Sequence, residues 1–223
     1  MKKLLLKIDN KSTSYPIIIG SNITSGFLRI LSKFHFKFSR YLFVVDKNVP
    51  KEIVKTIHKS ISKGKKKIHF FKATEKNKNQ KSVDEILNIL LNENYSREDC
   101  LVAVGGGITG DVTAFAASTF KRGISFINIP TTFLAQVDSS IGGKTGINTK
   151  NGKNLIGTFY QPKLVLSDTN FLKTLKKREI VCGYAEVLKH SIIANKKFYL
   201  YLNKNIQEIL QLNSPFIEKT VFE

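Results

Sequence analysis

Cysteine is nearly absent. The chain carries two among its 223 residues, Cys100 and Cys182, and they form neither a C-x-x-C pair nor a zinc-ligand spacing. A disulfide framework is therefore excluded, and a reducing compartment fits. Long apolar runs are missing too, since none approaches the roughly 20 residues needed to cross a bilayer. The opening MKKLLLKIDN has a basic pair followed by only three leucines, short of a signal-peptide core. A cytoplasmic protein with no membrane partner is expected. Acidic residues are scarce: 17 Asp+Glu stand against 36 Lys+Arg, a formal charge of +19. Net charge alone supports only non-specific attraction to polyanions. The tightest basic run, Lys65-Lys66-Lys67, borders a predicted strand and has no interleaved aromatics. No nucleic-acid partner is expected, whereas an anionic small substrate suits the charge.

Hydrophobic residues make up 42% of the chain, which marks it as globular. Short apolar runs at 2–8 and 15–19, with a Lys/Asn/Ser turn between them, predict a hairpin. Tyr41–Val45 reads as a buried parallel strand. Pro50 opens a helix with Ile53, Val54, Ile57 and Ile61 on one face, and Gly64 is its natural stop. Lys67–Phe71 is the next strand. Ser82 and Glu85 form an S-x-x-E capping box ahead of a stripe of Val83, Ile86, Leu87, Leu90 and Leu91. A strand at Leu101–Val104, a helix at about Thr109–Ser118 and a strand at Ser125–Ile129 follow. This alternation predicts an α/β fold, a parallel sheet covered by helices. The stretch Thr145–Gly157 reads as a loop or hairpin. After Asp168 only helices are expected, at Arg178–Ile193 and Lys196–Leu212, with Phe216–Val221 resembling a helix cut short. The expected organisation is an α/β domain over 1–168 and an incomplete α-helical domain over 169–223.

Gly105-Gly106-Gly107-Ile108-Thr109-Gly110-Asp111 satisfies the G-x-G-x-x-G spacing between a strand and a helix. Glycines let backbone approach a pyrophosphate, and a helix N-terminus offers free N–H groups. The same turn also occurs for steric reasons alone. The ribose-binding acid expected about 20 residues on is missing, because Asn128-Ile129-Pro130 stands there. Asp46, at the end of an earlier strand, either takes that role or caps the helix after it. Ser139-Ser140-Ile141-Gly142-Gly143-Lys144-Thr145 lacks the leading glycine of a phosphate loop, since position 138 is Asp138. Lysines on this glycine-rich segment nevertheless suit phosphate and carboxylate groups; the alternative is a plain surface loop.

Glu186, Lys189 and His190 share a face of a predicted helix. Glu186 and His190 have a spacing that could bind zinc, but a catalytic site needs three protein ligands and the sequence offers no second cluster. From spacing alone the favoured reading is a Glu186–Lys189 ion pair. His35, His58 and His69 are scattered and read as structural or surface residues.

VGGGITGDVTAFAASTFKRG, INIPTTFLAQVDSSIGGKTGIN, GKNLIGTFYQP and GYAEVLKH occur in this order. Together they resemble the 3-dehydroquinate synthase family from about Asp46 to Ile193. Thr74-Glu75-Lys76-Asn77-Lys78 resembles the family's G-E-x-x-K, with Thr74 in the glycine position. The resemblance implies a Rossmann-like NAD-binding domain followed by the start of an all-α domain. It implies an NAD site made by Asp46, Glu75, Lys78, Gly107, Ile108, Thr109, Gly110, Asp111, Thr131, Thr132, Lys144, Lys153 and Asn154, completed by Phe171, Leu172, Lys173 and Thr174. It implies substrate contacts from Asp138, Lys144 and Lys189, with Arg122 reaching into the other subunit of a homodimer. Glu186 would be one of three ligands to a divalent metal, zinc or cobalt. The other two would be histidines of a later H-T-x-G-H-type segment and beyond, absent here, and His190 matches no family ligand. The implied activity is that of a phosphate-eliminating cyclase acting on a seven-carbon sugar phosphate in the shikimate pathway. The alternatives are a sister cyclase such as a 2-deoxy-scyllo-inosose synthase, or an NAD-binding fragment without turnover.

Overall fold

Strand β2 (Tyr41–Asp46) is apolar at five successive positions, and all five are buried. Alternate residues of a strand point to opposite faces, so both faces must be covered. Tyr41, Phe43 and Val45 enter one core with Ile53, Val54 and Ile57 of α2 (Lys51–His58). Leu42 and Val44 enter a second core with Val83, Ile86 and Leu90 of α3 (Gln80–Asn92). Burying each such side chain contributes about 1.5–3 kcal/mol, so a register slip of one residue is strongly disfavoured. The computed structural model describes residues 14–59, 61 and 65–223.

The other sheet strands are β1 (Ile17–Gly20), β3 (Lys66–Phe71), β4 (Cys100–Gly105), β5 (Ser125–Pro130) and β8 (Leu164–Asp168). All six pair in parallel, in the order β1-β8-β5-β4-β2-β3. Helix α1 (Phe27–Lys33) joins α2 on the first face. Helix α4 (Gly107–Thr119) joins α3 on the second. A small antiparallel hairpin, β6 (Ile147–Thr149) and β7 (Gly152–Ile156), stands outside the sheet. A third apolar cluster joins Phe133 and Leu172 to α5 (Lys177–Ala194), α6 (Lys196–Leu210) and α7 (Phe216–Phe222).

Several expectations shift. The strand read at 15–19 is β1, paired in parallel with β8; the other half of the expected hairpin, 2–8, lies outside the described residues, as does Gly64. Helix α3 begins three residues early. Asn79 is its N-cap, accepting from the Ser82 amide at 3.1 Å, so Ser82 is inside the helix and the Ser82–Glu85 box does not form. Leu91 is exposed, and Ile61 joins the core from beyond the end of α2. The short strand β8 was not expected.

Candidate active site

From β2 the chain runs through α2 to β3 on one side, then through α3 to β4 on the other side of β2. The two connections leave over opposite faces and open a crevice at the carboxyl ends of β2 and β4. Such a switch point is where ligands bind in open parallel sheets. Here the cleft is about 590 Å³, and Asp46, Gly106, Gly107, Ile108, Thr131, Thr132 and Thr174 line it.

The glycines serve packing first. A Cβ on Gly105 would stand 2.6 Å from Thr109 Oγ1 and 3.0 Å from Asp46 Cβ, and one on Gly107 would stand 2.7 Å from Ser139 Oγ. Packing therefore requires glycine at both positions, and a nucleotide site at the same turn is compatible with it. The N-terminus of α4 has no side-chain cap, so its first amides and dipole face the cleft available to an anion. Thr109 and Gly110 are packed inward; Thr109 is fully buried and Gly110 abuts Asn128. Asp46 does not cap α2, whose N-cap is Pro50. Its carboxylate accepts from the Asn48 amide at 3.1 Å and from Asn48 Nδ2 at 3.2 Å. Burial raises its pKa above the ordinary value, against hydrogen bonds from Asn48 and Ala73.

Within Phe171–Thr174 the side chains divide. Phe171 and Leu172 are buried in two different apolar clusters, Lys173 is exposed, and Thr174 alone faces the cleft. Asn48, Lys176 and Glu179 also line it. The last two were not legible as site residues, because they reach the cleft only through the placement of α5.

A second cleft of about 460 Å³ is lined by Asp111, Asp138, Ser139, Lys144, Asn154 and Phe159, among others. Behind it Lys78, 6% exposed, places Nζ 2.5 Å from Asp111 Oδ2 and 2.5 Å from Asn154 Oδ1. Burial raises the Asp111 pKa, and Lys78 and Lys144 hold it back. Glu75 accepts from Asn148 Nδ2 at 2.8 Å and lies 3.6 Å from Lys153. Five expected cofactor residues, Glu75, Lys78, Asp111, Lys153 and Asn154, thus meet in one network that ties the hairpin to α4. Asn148 was missed, although it belongs to the GGKTGIN motif.

Asp138 lies on a π-helical turn, Ala135–Ser139. Gln136 of that turn is 1% exposed and donates to the Pro130 carbonyl at 3.1 Å and the Asp168 carbonyl at 3.0 Å. It thereby fastens the turn to the ends of β5 and β8. Helix α5 presses against the same segment because Gly183 has no side chain: a Cβ there would stand 2.6 Å from Phe133 Cβ. One turn later comes Glu186, which accepts from Lys189 and, at 3.0 Å, from His190 Nε2. Lys189 holds the Glu186 pKa below its ordinary value. The expected ion pair is present, and it is not the whole constellation. Donor atoms of Asp138, Glu186 and His190 all lie within 4.8 Å of one another. Arg122 is exposed in the turn after α4, about 20 Å from the glycine turn by the length of a 13-residue helix. It lines neither of the two clefts.

Residues 68–182, more than half of the chain, match the family described as 3-dehydroquinate synthase N-terminal. A 3-dehydroquinate synthase of Pelagibacter ubique (strain HTCC1062) is 59% identical over 223 residues, covering 100% of this chain and 61% of that protein. The chain therefore spans about three-fifths of that relative's length. A 2-epi-5-epi-valiolone synthase from Streptomyces hygroscopicus subsp. jinggangensis 5008, solved with NAD+ and Zn2+ bound, superposes with TM-score 0.83 at 25% identity over 99% of this chain and 60% of its own. A 2-deoxy-scyllo-inosose synthase complexed with carbaglucose-6-phosphate, NAD+ and Co2+ gives TM-score 0.73 at 31% identity, covering 80% of this chain and 48% of its own. The fold expected of the resemblance is the one observed, and the chain belongs to the 3-dehydroquinate synthase family.

Proposed function

We propose that the chain is the nucleotide-binding part of a 3-dehydroquinate synthase, a lyase that converts 3-deoxy-D-arabino-heptulosonate 7-phosphate to 3-dehydroquinate and phosphate in the shikimate pathway. The observation that carries this reading is the junction of the two clefts at Gly107. That residue lines the switch-point crevice, and its bare Cα abuts Ser139 of the second cleft. A dinucleotide in one cleft and a small anionic substrate in the other would meet there. The identity to the Pelagibacter synthase favours this activity over that of a sister cyclase.

NAD would supply a reversible hydride acceptor, and zinc or cobalt a Lewis acid. The amides of Gly106–Ile108 and the α4 dipole hold the pyrophosphate. Asp46 accepts from ribose hydroxyls, and Thr131, Thr132 and Thr174 donate from the facing wall. Glu75, Lys78, Asp111, Lys153 and Asn154 fix the hairpin against the nucleotide. Lys144 and Lys189 pair with the substrate's carboxylate and phosphate, and Asp138 orients a hydroxyl by accepting its proton in a hydrogen bond. Glu186 is the metal ligand. Arg122, exposed and lining neither cleft of its own chain, serves the site of a second subunit in a homodimer. The unit boundary falls at Asp168/Thr169, and the protein works in the cytoplasm; among the described residues no helix is long and apolar enough to cross a membrane.

The test is phosphate release from the heptulosonate phosphate with NAD and zinc. It is run on this chain joined to the remaining carboxyl-terminal part of the Pelagibacter relative. Turnover of the joined protein that disappears in Lys144→Met is the expected result. Binding of NAD without phosphate release, in a joined protein that folds, would overturn the substrate assignment.

A further inference from the structure

We infer that Gln136 is a positioning residue of the active site: its buried amide fixes the π-helical turn and so aims the Asp138 carboxylate at the substrate. The inference rests on the reading of Asp138 as a substrate contact, and it adds to that reading a residue that lines neither cleft.

Among the described residues no hydrogen bond or ion pair fixes the Asp138 carboxylate, so the backbone of its turn sets where it points. That turn is closed by the Ser140 amide, which donates to the Ala135 carbonyl at 3.1 Å, five residues back instead of four. Single π-turns of this kind are frequent at functional sites. Gln136 supplies the support from outside the turn. It is 1% exposed, and its Nε2 donates to the Pro130 carbonyl at 3.1 Å and to the Asp168 carbonyl at 3.0 Å. Both anchors are held without it. Thr131, next after Pro130, donates its amide to the Gly105 carbonyl at 2.9 Å. Asp168 is fully buried, and its carboxylate accepts from the amides of Asn22, Thr24 and Asn170 and from the Thr24 hydroxyl. Cutting the tether therefore frees the turn and leaves the strand ends in place. The chemistry demands this side chain: two carbonyl oxygens need a group with two N–H donors, which an ionised glutamate and a methionine both lack. Gln136 Oε1 is buried without a partner, so the amide acts here only as a double donor.

The experiment measures phosphate release by the joined protein and its Gln136→Met, Gln136→Glu and Asp138→Asn variants, well below the melting temperature of each. Gln136→Met should lower kcat by up to about a hundredfold through misplacement of Asp138, while the Kd for NAD stays with the parent's. Gln136→Glu carries the decisive readout. Its protonated carboxyl can donate one bond to a carbonyl; its ionised form donates none and sets a negative charge against two carbonyl oxygens. Burial holds that proton above the ordinary carboxylate range. The turnover of Gln136→Glu relative to the parent should therefore rise as the pH is lowered from about 8 to 6, and that of Gln136→Met should stay level. A merely structural role would not move this ratio. Hydrogen exchange on the 223-residue chain reads the tether without turnover: Gln136→Met should speed exchange at Ser140 and Ile141 and spare β5 and β8. The inference alone is overturned if Gln136→Met turns over as the parent does while Asp138→Asn does not, or if the Gln136→Glu ratio is level with pH. If Asp138→Asn turns over as the parent does, the reading of Asp138 falls and the inference with it. In a joined parent without turnover the exchange decides, and unchanged rates at Ser140 and Ile141 overturn the tether.

Discussion

Gly183 decides how near α5 comes to the turn that carries Asp138. An alanine there gains helix propensity of about 1 kcal/mol over glycine. Its Cβ, however, would meet Phe133 Cβ and Cγ at 2.6 Å and the Leu134 backbone nitrogen at 2.8 Å. A backbone atom cannot rotate away, so overpacking of about 1–3 kcal/mol should win. Gly183→Ala is expected to lower the melting temperature by a few degrees, about 2–4 °C per kcal/mol in a chain of this size. A rise in melting temperature would mean that α5 can slide, and that Gly183 does not fix the placement of Glu186. This position also marks the limit of the sequence. The pattern GYAEVLKH was legible as a helix with Glu186 and His190 on one face. That Asp138 faces them was not legible, because a π-helical turn has no spacing signature and its anchor, Gln136, looks like any polar residue.

At the scale of elements, β2 to β5 could be read directly. β2, β4 and β5 are compact runs buried on both faces, and that demand leaves few other assignments; β3, at the sheet edge, fully buries only Phe71. β8 escaped because Leu164–Asp168 is five residues long and leads into a 3₁₀ turn instead of a periodic helix. The start of α3 was misplaced because Asn79 and Ser82 are both good caps and only tertiary packing chooses between them. The hairpin β6–β7 was open between loop and strand, since its residues 152–156 bury little. What holds it is Lys78, whose Nζ joins Asp111 and Asn154. Lys78→Met should leave the Asp111 carboxylate partly buried without its cation, at a cost of about 1–3 kcal/mol. Hydrogen exchange should then speed up in 147–156 while the amides of β2 and β4 keep their protection. Equal protection of the hairpin in the variant would show that the Lys78–Asn154 contact does not anchor it.

For the whole molecule the sheet order could not be read from the chain, yet it places every cleft, because the reversal around β2 creates the crevice. The same burial sets the response to acid. His58 and His69 have pKa values lowered by burial, helped by Lys66 and Lys47 respectively, with Glu85 opposing at His69. Each also has a buried ring nitrogen without a hydrogen-bond partner. A histidine whose folded pKa lies below its unfolded value contributes stability above about pH 6.5, and that contribution is lost as the pH falls toward the folded value. Asp46 and Asp111 act in the opposite sense. Their raised values disfavour the ionised fold, so they return stability only in a lower window, just above the ordinary carboxylate range. At those lower values the excess of positive charge, +19 even at neutrality, grows as carboxylates protonate and opposes the gain. The melting temperature should therefore fall between about pH 7.5 and 5.5, ahead of any carboxylate effect. A His58→Gln/His69→Gln double variant should be nearly flat over that interval. Parallel curves for parent and variant would place the acid sensitivity in the general charge of the molecule and not in these two buried rings.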